Sequence, residues 1–194
     1  MWCRRTATLL WHGGRVESLG ALKTEPARTR PDLLAVPATA GLAAWADAPD
    51  EVLVAPIDPT LADTAAFCEA YQVGLDVSAN CVVVVGKRGG EARYAACVIL
   101  ATTRADVNNA VRRQLDVRKA SFASMDDAVA RTGMEYGGIT PIGLPADWPI
   151  LVDPQVTATP YVVIGSGVRH SKLALPGPAL ARLPGAVVLE GLAR

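Results

Sequence analysis

The run Asn80-Cys81-Val82-Val83-Val84-Val85, the connector Gly86-Lys87-Arg88-Gly89-Gly90-Glu91 and the run from Arg93 to Ala101 decide how this chain folds. Both runs are apolar and β-branched, and the connector carries a Gly-Gly pair, which together make a hairpin signature. This hairpin is the expected centre of a sheet. Upstream, Glu51 to Ile57 alternates into a short strand, and Asp63 stands where it can cap a helix carrying Phe67 and Tyr71. Those two rings fall four residues apart, on one helical face, where core packing and a substrate pocket are both open readings. Pro31 to Trp45 reads as an amphipathic helix interrupted by Pro37.

Downstream, Asp106 caps a helix running through Leu115. Ser124, with Asp127 three residues on, caps another through Arg131, which Gly133 ends. Further strands are expected at Ile150 to Val152, Tyr161 to Ile164, Leu173 to Leu175 and Val187 to Leu189, with a short helix after Pro176-Gly177-Pro178. Strands and helices do not alternate regularly, so α+β is favoured over a doubly wound parallel sheet.

Two glycine-rich stretches punctuate the second half: Tyr136-Gly137-Gly138-Ile139-Thr140-Pro141-Ile142-Gly143, and Gly165-Ser166-Gly167. Without a Cβ, such backbone can approach a carbonyl or anionic oxygen closely, and Pro141 stiffens the exit of the turn. Together the loops can wall one small-ligand pocket and cradle an oxyanion. A Gly-Gly pair before a proline also reads as a plain turn.

Composition sets outer bounds. At 194 residues and 51% hydrophobic, the chain suffices for one domain with a substantial core. Its apolar runs are strand-sized, far short of the roughly 20 residues that cross a bilayer, and Ala7 to Trp11 is too short for a signal-peptide core. A cytoplasmic location without membrane association is the expectation. Cys3, Cys68, Cys81 and Cys97 show no metal-ligand spacing, so neither a metal nor a cofactor is expected. Cys81 and Cys97 lie on the two arms of the hairpin, where they can face each other or simply fill core.

Charges balance at 19 basic and 19 acidic residues. Up to Arg30 there are six basic residues against Glu17 and Glu25, which leaves a mildly acidic body. That excludes a general nucleic-acid binder acting through its bulk field, and DNA is not an expected partner. Residues 1–30 read as a disordered tail, or as a misassigned start with Val16 as the initiator, and 31–194 as a single domain.

The ordered set of helix Asp63 to Tyr71, strand Asn80 to Val85, segment Asp116-Val117-Arg118-Lys119-Ala120, loop Gly137 to Pro141 and loop Gly165 to Gly167 resembles the YbaK/ProX-like family. These are free-standing relatives of the editing domain inserted in bacterial prolyl-tRNA synthetases. The resemblance spans roughly Val52 to Leu192. It implies a mixed, partly barrel-like sheet with flanking helices, and deacylation of mischarged aminoacyl-tRNA. A synthetase is a further partner it suggests.

Ester hydrolysis of this kind needs a positioned water, donors for the developing oxyanion and a selective pocket. The expected catalytic set is Asn80, Gly138 and Ser166, with Cys81, Gly137, Ile139, Pro141, Gly165, Gly167, Arg169 and Lys172 around the substrate. Arg112, Arg113, Arg118 and Lys119 are the expected tRNA contacts, a solvated helix end being the plain alternative. A nucleophilic Ser166 needs a base beside it; His170, four residues on, is the nearest, and a lone histidine is commonly a surface residue. His12 falls in the expected tail.

Many family members carry a lysine at the start of the first central strand, where this chain has Asn80-Cys81. Lys172 stands where some relatives are acidic, which suggests a cationic group moved across the pocket. Two readings stay open: a trans-editing hydrolase, or a non-catalytic module of the same fold that binds tRNA ends or an amino acid. A hydrolase of another small acyl ester is a third.

Overall fold

The computed structural model describes residues 19–194. The central hairpin is there, and it is longer and tighter than expected: β3 (Ala79–Arg88) and β4 (Glu91–Leu100) pair from Ala79↔Leu100 to Arg88↔Glu91. Only Gly89 and Gly90 remain in the turn, with φ of 59° and 90°. Two consecutive positive φ values suit a two-residue hairpin turn, and glycine supplies both without steric cost. The strands therefore run through Gly86-Lys87-Arg88 instead of breaking there.

Around this hairpin the chain builds two sheets. In chain order come β1 (Glu25–Pro26), α1 (Val36–Ala44), β2 (Leu53–Pro56), α2 (Thr64–Tyr71), then β3 and β4. There follow α3 (Arg112–Gln114), β5 (Ala120–Phe122), α4 (Met125–Thr132), β6 (Ile150–Val152), α5 (Pro154–Ala158), β7 (Tyr161–Gly165), β8 (Ser171–Pro176) and β9 (Ala186–Val188). One sheet has the order β1-β2-β8-β7 and is antiparallel throughout. The other, β5-β3-β4-β6-β9, is mixed, with β6 parallel to both β4 and β9. The fold is α+β, as expected. Among the described residues the sheets do not close into a barrel; they meet where Ser78 bridges Val163 and the Val163 N–H donates to Val77 O at 2.8 Å.

The main core lies between the sheets, where Val54, Leu173, Leu175 and Ile164 of one meet Val98, Leu100, Ile150 and Val152 of the other. A second cluster covers the hairpin's opposite face with Val107, Val111, Leu115 and Leu192. A third packs Leu19, Leu22 and Phe67 on the antiparallel sheet. Cys81 belongs with the first face and Cys97 with the second, because Cys81 pairs with Val98 and Cys97 with Val82. The period-2 alternation thus puts the two thiols on opposite faces, and the facing pair is corrected. Burial pushes the Cys97 thiol up to about 12, as expected of core filler.

Two other sequence expectations change. Pro37 does not interrupt a helix over Pro31 to Trp45: Pro31–Leu33 forms a separate 3₁₀ turn, and α1 starts at Val36 with Pro37 in its first turn, where the missing N–H costs nothing. Residues 19–30 are part of the fold rather than a tail. Leu19, Leu22 and Ala27 are buried, the Ala21 N–H donates to Tyr71 O at 2.8 Å, and β1 pairs with β2. Residues 1–18, with Cys3, His12 and Val16, lie outside the described residues.

Candidate functional site

The start of β3, the N-terminus of α2, the segment from β5 into α4, the first glycine loop and the ends of β7 and β8 enclose a cleft of about 550 Å³. Of the sequence-derived set, Asn80, Cys81, Gly137, Ile139, Gly165 and Lys172 line it. Gly138, Pro141, Ser166, Gly167, Arg169 and the four basic residues do not.

The two glycine loops do come together, but their glycines serve each other as much as the cleft. The Gly167 N–H donates to Gly138 O at 2.7 Å, and the Gly138 N–H to Glu135 O at 2.9 Å. A Cβ on Gly138 would stand 2.5 Å from Val168 O, and one on Gly165 would overlap the carbonyl oxygens of Gly138 and Ile139. The donors expected from Gly138 and Gly167 are thus consumed inside the protein. Among the described residues the N–H groups of Gly137 and Ile139 make no hydrogen bond.

Ser166 is fully buried. Its hydroxyl donates to Ser171 O at 3.0 Å or Val168 O at 3.2 Å and contacts Ser171 Oγ at 2.7 Å, while Ser171 Oγ reaches Leu33 O at 2.5 Å. The ring of His170 lies toward Asp32 O, 3.5 Å away. The geometry gives Ser166 a structural role in joining the loop, β8 and the turn before α1. A hydroxyl with these partners and no base is not an activated nucleophile.

Asn80 sits at the mouth of β3, with Oδ1 accepting from Thr64 Oγ1 at 2.9 Å. Its amide N–H groups have no acceptor among the described residues, so they remain available to a ligand. Lys172 enters from β8 and is only 9% exposed. Its Nζ donates to Ala62 O at 2.9 Å and lies 5.3 Å from the centroid of the Phe67 ring. Burial holds its pKa below the ordinary lysine value, and the Arg169 guanidinium pushes the same way. Phe67 is therefore core, stacked on Tyr71 at 5.4 Å, and at the same time the aromatic floor beneath the cleft's cation.

Arg169 braces the rim from outside. Its Nη1 donates to Tyr136 O at 3.2 Å and lies 3.4 Å from Asp63 Oδ1, while Nη2 donates to Pro59 O at 3.2 Å. Asp63 holds the cap position of α2 without a side-chain capping bond, and its carboxylate faces Arg169 and the cleft instead. Asp63, Thr64, Phe122 and Tyr136 also line the cleft, outside the set of site residues expected from the sequence. They come from three separate segments, and no spacing rule links those segments. Arg112 and Arg113 lie on α3, and Arg118 and Lys119 just before β5; none makes an ion pair among the described residues.

The chain belongs to the aminoacyl-tRNA editing domain family, whose model matches residues 58–183. Every lining residue falls inside that span. Among solved structures, the fold is similar to hypothetical protein APE2540, at 21% identity and TM-score 0.64, covering 73% of this chain and 90% of that one. It is also similar to a candidate trans-editing enzyme for prolyl tRNA synthetase, at 18% identity and TM-score 0.65, covering 80% and 98%. At such identities the likeness is one of fold. No curated protein matches the chain. No helix among the described residues is long and apolar enough to cross a membrane.

Proposed function

We propose that this chain is a trans-editing hydrolase that deacylates mischarged aminoacyl-tRNA, with Lys172 supplying the positive charge that Asn80 does not. The observation that carries this reading is the presence of Asn80 and Lys172 in the wall of one cleft within the editing-domain span. A water attacks the ester carbonyl carbon, the bond to the terminal ribose oxygen breaks, and a proton from that water ends on the ribose hydroxyl as the amino acid leaves. Charge develops on the carbonyl oxygen in between. The Lys172 ammonium, the Asn80 amide and the Gly137 N–H are donors of the kind that stabilise it, and a buried, low-dielectric setting strengthens such contacts. Cys81, Ile139 and Gly165 form the wall against which the acyl side chain is selected.

The expected roles of Gly138 and Ser166 are reassigned to holding the two loops together, because their polar groups are committed elsewhere. The second reading, a module that binds without turnover, draws on the replacement of the family lysine by Asn80. Deacylation of a panel of correctly and incorrectly charged tRNAs by wild type, Asn80→Ala and Lys172→Ala separates the two. We expect turnover of a mischarged species, reduced about 100-fold in Lys172→Ala, the scale of losing one preorganised oxyanion donor. Full activity in Lys172→Ala would refute the relocated charge. Absent turnover with retained tRNA binding would favour the non-catalytic module.

A further inference from the structure

The chain uses aromatic residues sparingly, 5% of the whole. Among the described residues Trp45, Phe67, Trp148 and Tyr161 are buried, and Tyr71 and Tyr94 are half-buried. Phe67 stacks on Tyr71, and Tyr94 on Trp148 at 4.9 Å. The two remaining rings, Phe122 at 58% exposure and Tyr136 at 57%, both line the same cleft. Neither makes a ring contact with another aromatic among the described residues. Exposing a large ring forgoes roughly 1.5–3 kcal/mol of burial free energy, so two at one cleft mouth mark a surface that something covers.

Both rings are mounted on fixed backbone. Phe122 ends β5 and pairs with Val84 of β3, while the Tyr136 carbonyl accepts from Arg169. Exposed Arg118 and Lys119 precede β5 directly, so about 10 Å of extended backbone separates Lys119 from Phe122 along the chain. Aromatic faces beside cations, without a wide basic field, are how proteins hold single-stranded nucleic acid: bases stack on the rings and phosphates meet the cations.

We infer that Phe122 and Tyr136 form a stacking platform for the last nucleobases of a single-stranded tRNA 3′ end, with Arg118 and Lys119 on the neighbouring phosphates. This rests on the editing reading, since it places the RNA end where its ester enters the cleft. The platform positions substrate and takes no part in the chemistry.

The test uses a short single-stranded RNA whose 3′-terminal base is 2-aminopurine, whose fluorescence falls when it stacks. Wild type quenches the probe. Phe122→Leu with Tyr136→Leu, which keeps apolar bulk without a π face, loses the quench and raises Kd about tenfold or more. The same variant raises KM for aminoacyl-tRNA similarly and leaves kcat and Tm near wild type, whereas Phe122→Trp keeps the quench. Unchanged quenching and Kd in the double variant overturn the platform. No quenching by wild type also overturns it, and assigns the rim to a protein partner. Turnover without quenching would remove the platform and leave the hydrolase standing; quenching without turnover would keep the platform and remove the hydrolase.

Discussion

Lys172 carries its ammonium where burial opposes it, and the Ala62 carbonyl and the Phe67 face offset only part of that cost. The linkage has a definite sign. The folded pKa is lowered from the ordinary 10.5, so between the two values the unfolded chain holds a proton that the folded chain has released. Stability therefore rises with pH across that window, and the full penalty is present below the folded value. Lys172→Met, which fills similar volume without charge, should stabilise the protein at pH 7 by about 1 kcal/mol while impairing deacylation. The difference from wild type should shrink as pH approaches 10.5, measured by urea unfolding at pH 7 and pH 10. A variant less stable than wild type at pH 7 would mean that the hydrogen bond and ring contact outweigh desolvation, and the cost assigned to this cation would be wrong.

At the level of elements, the glycine loops show that close approach of backbone to backbone, rather than to ligand, explains two of the glycines. Gly165 ends β7 directly beneath the Gly138 and Ile139 carbonyls, and no side chain fits between. Gly165→Ala should cost about 1–3 kcal/mol, the usual penalty for overpacking, and should lower activity by displacing Gly137 in the cleft wall. Thermal unfolding with a parallel activity assay checks both; unchanged Tm would show that the loops separate freely. Seen from the sequence, elements with local signals were legible: Ser124 Oγ does accept from the Asp127 N–H, Gly133 does end α4, and the Gly89-Gly90 pair does turn the hairpin. The site was half legible. Asn80, Gly137 and Gly165 sit on recognisable strand and loop signals, but whether a glycine N–H is free depends on a partner about 30 residues away, as Gly167 with Gly138 shows. Asp63 reads as a plain cap until the structure brings Arg169 to it from 106 residues on. Ser166 reads as a candidate nucleophile until Ser171 and Leu33 enclose it.

For the molecule as a whole, zero formal net charge governs how a polyanion can be recognised. Without a broad positive field, long-range steering is weak, and affinity must come from a few phosphates and from contacts inside the cleft. Exposed Arg118 and Lys119 precede the strand that ends at Phe122, whereas Arg112 and Arg113 lie on α3, with Arg112 Nε donating to Asn108 O. The slope of log K against log salt reports how many phosphates are neutralised, at about −0.7 per contact for single strands. Wild type should therefore give a shallow slope of roughly −1.5 for two contacts. Arg118→Gln with Lys119→Gln should bring it close to zero, while Arg112→Gln with Arg113→Gln leaves it near wild type. Filter binding of tRNA from low to moderate salt measures both pairs. A steep wild-type slope, or one that falls only with Arg112 and Arg113, would move the tRNA body onto the α3 face and away from the strand that leads to Phe122.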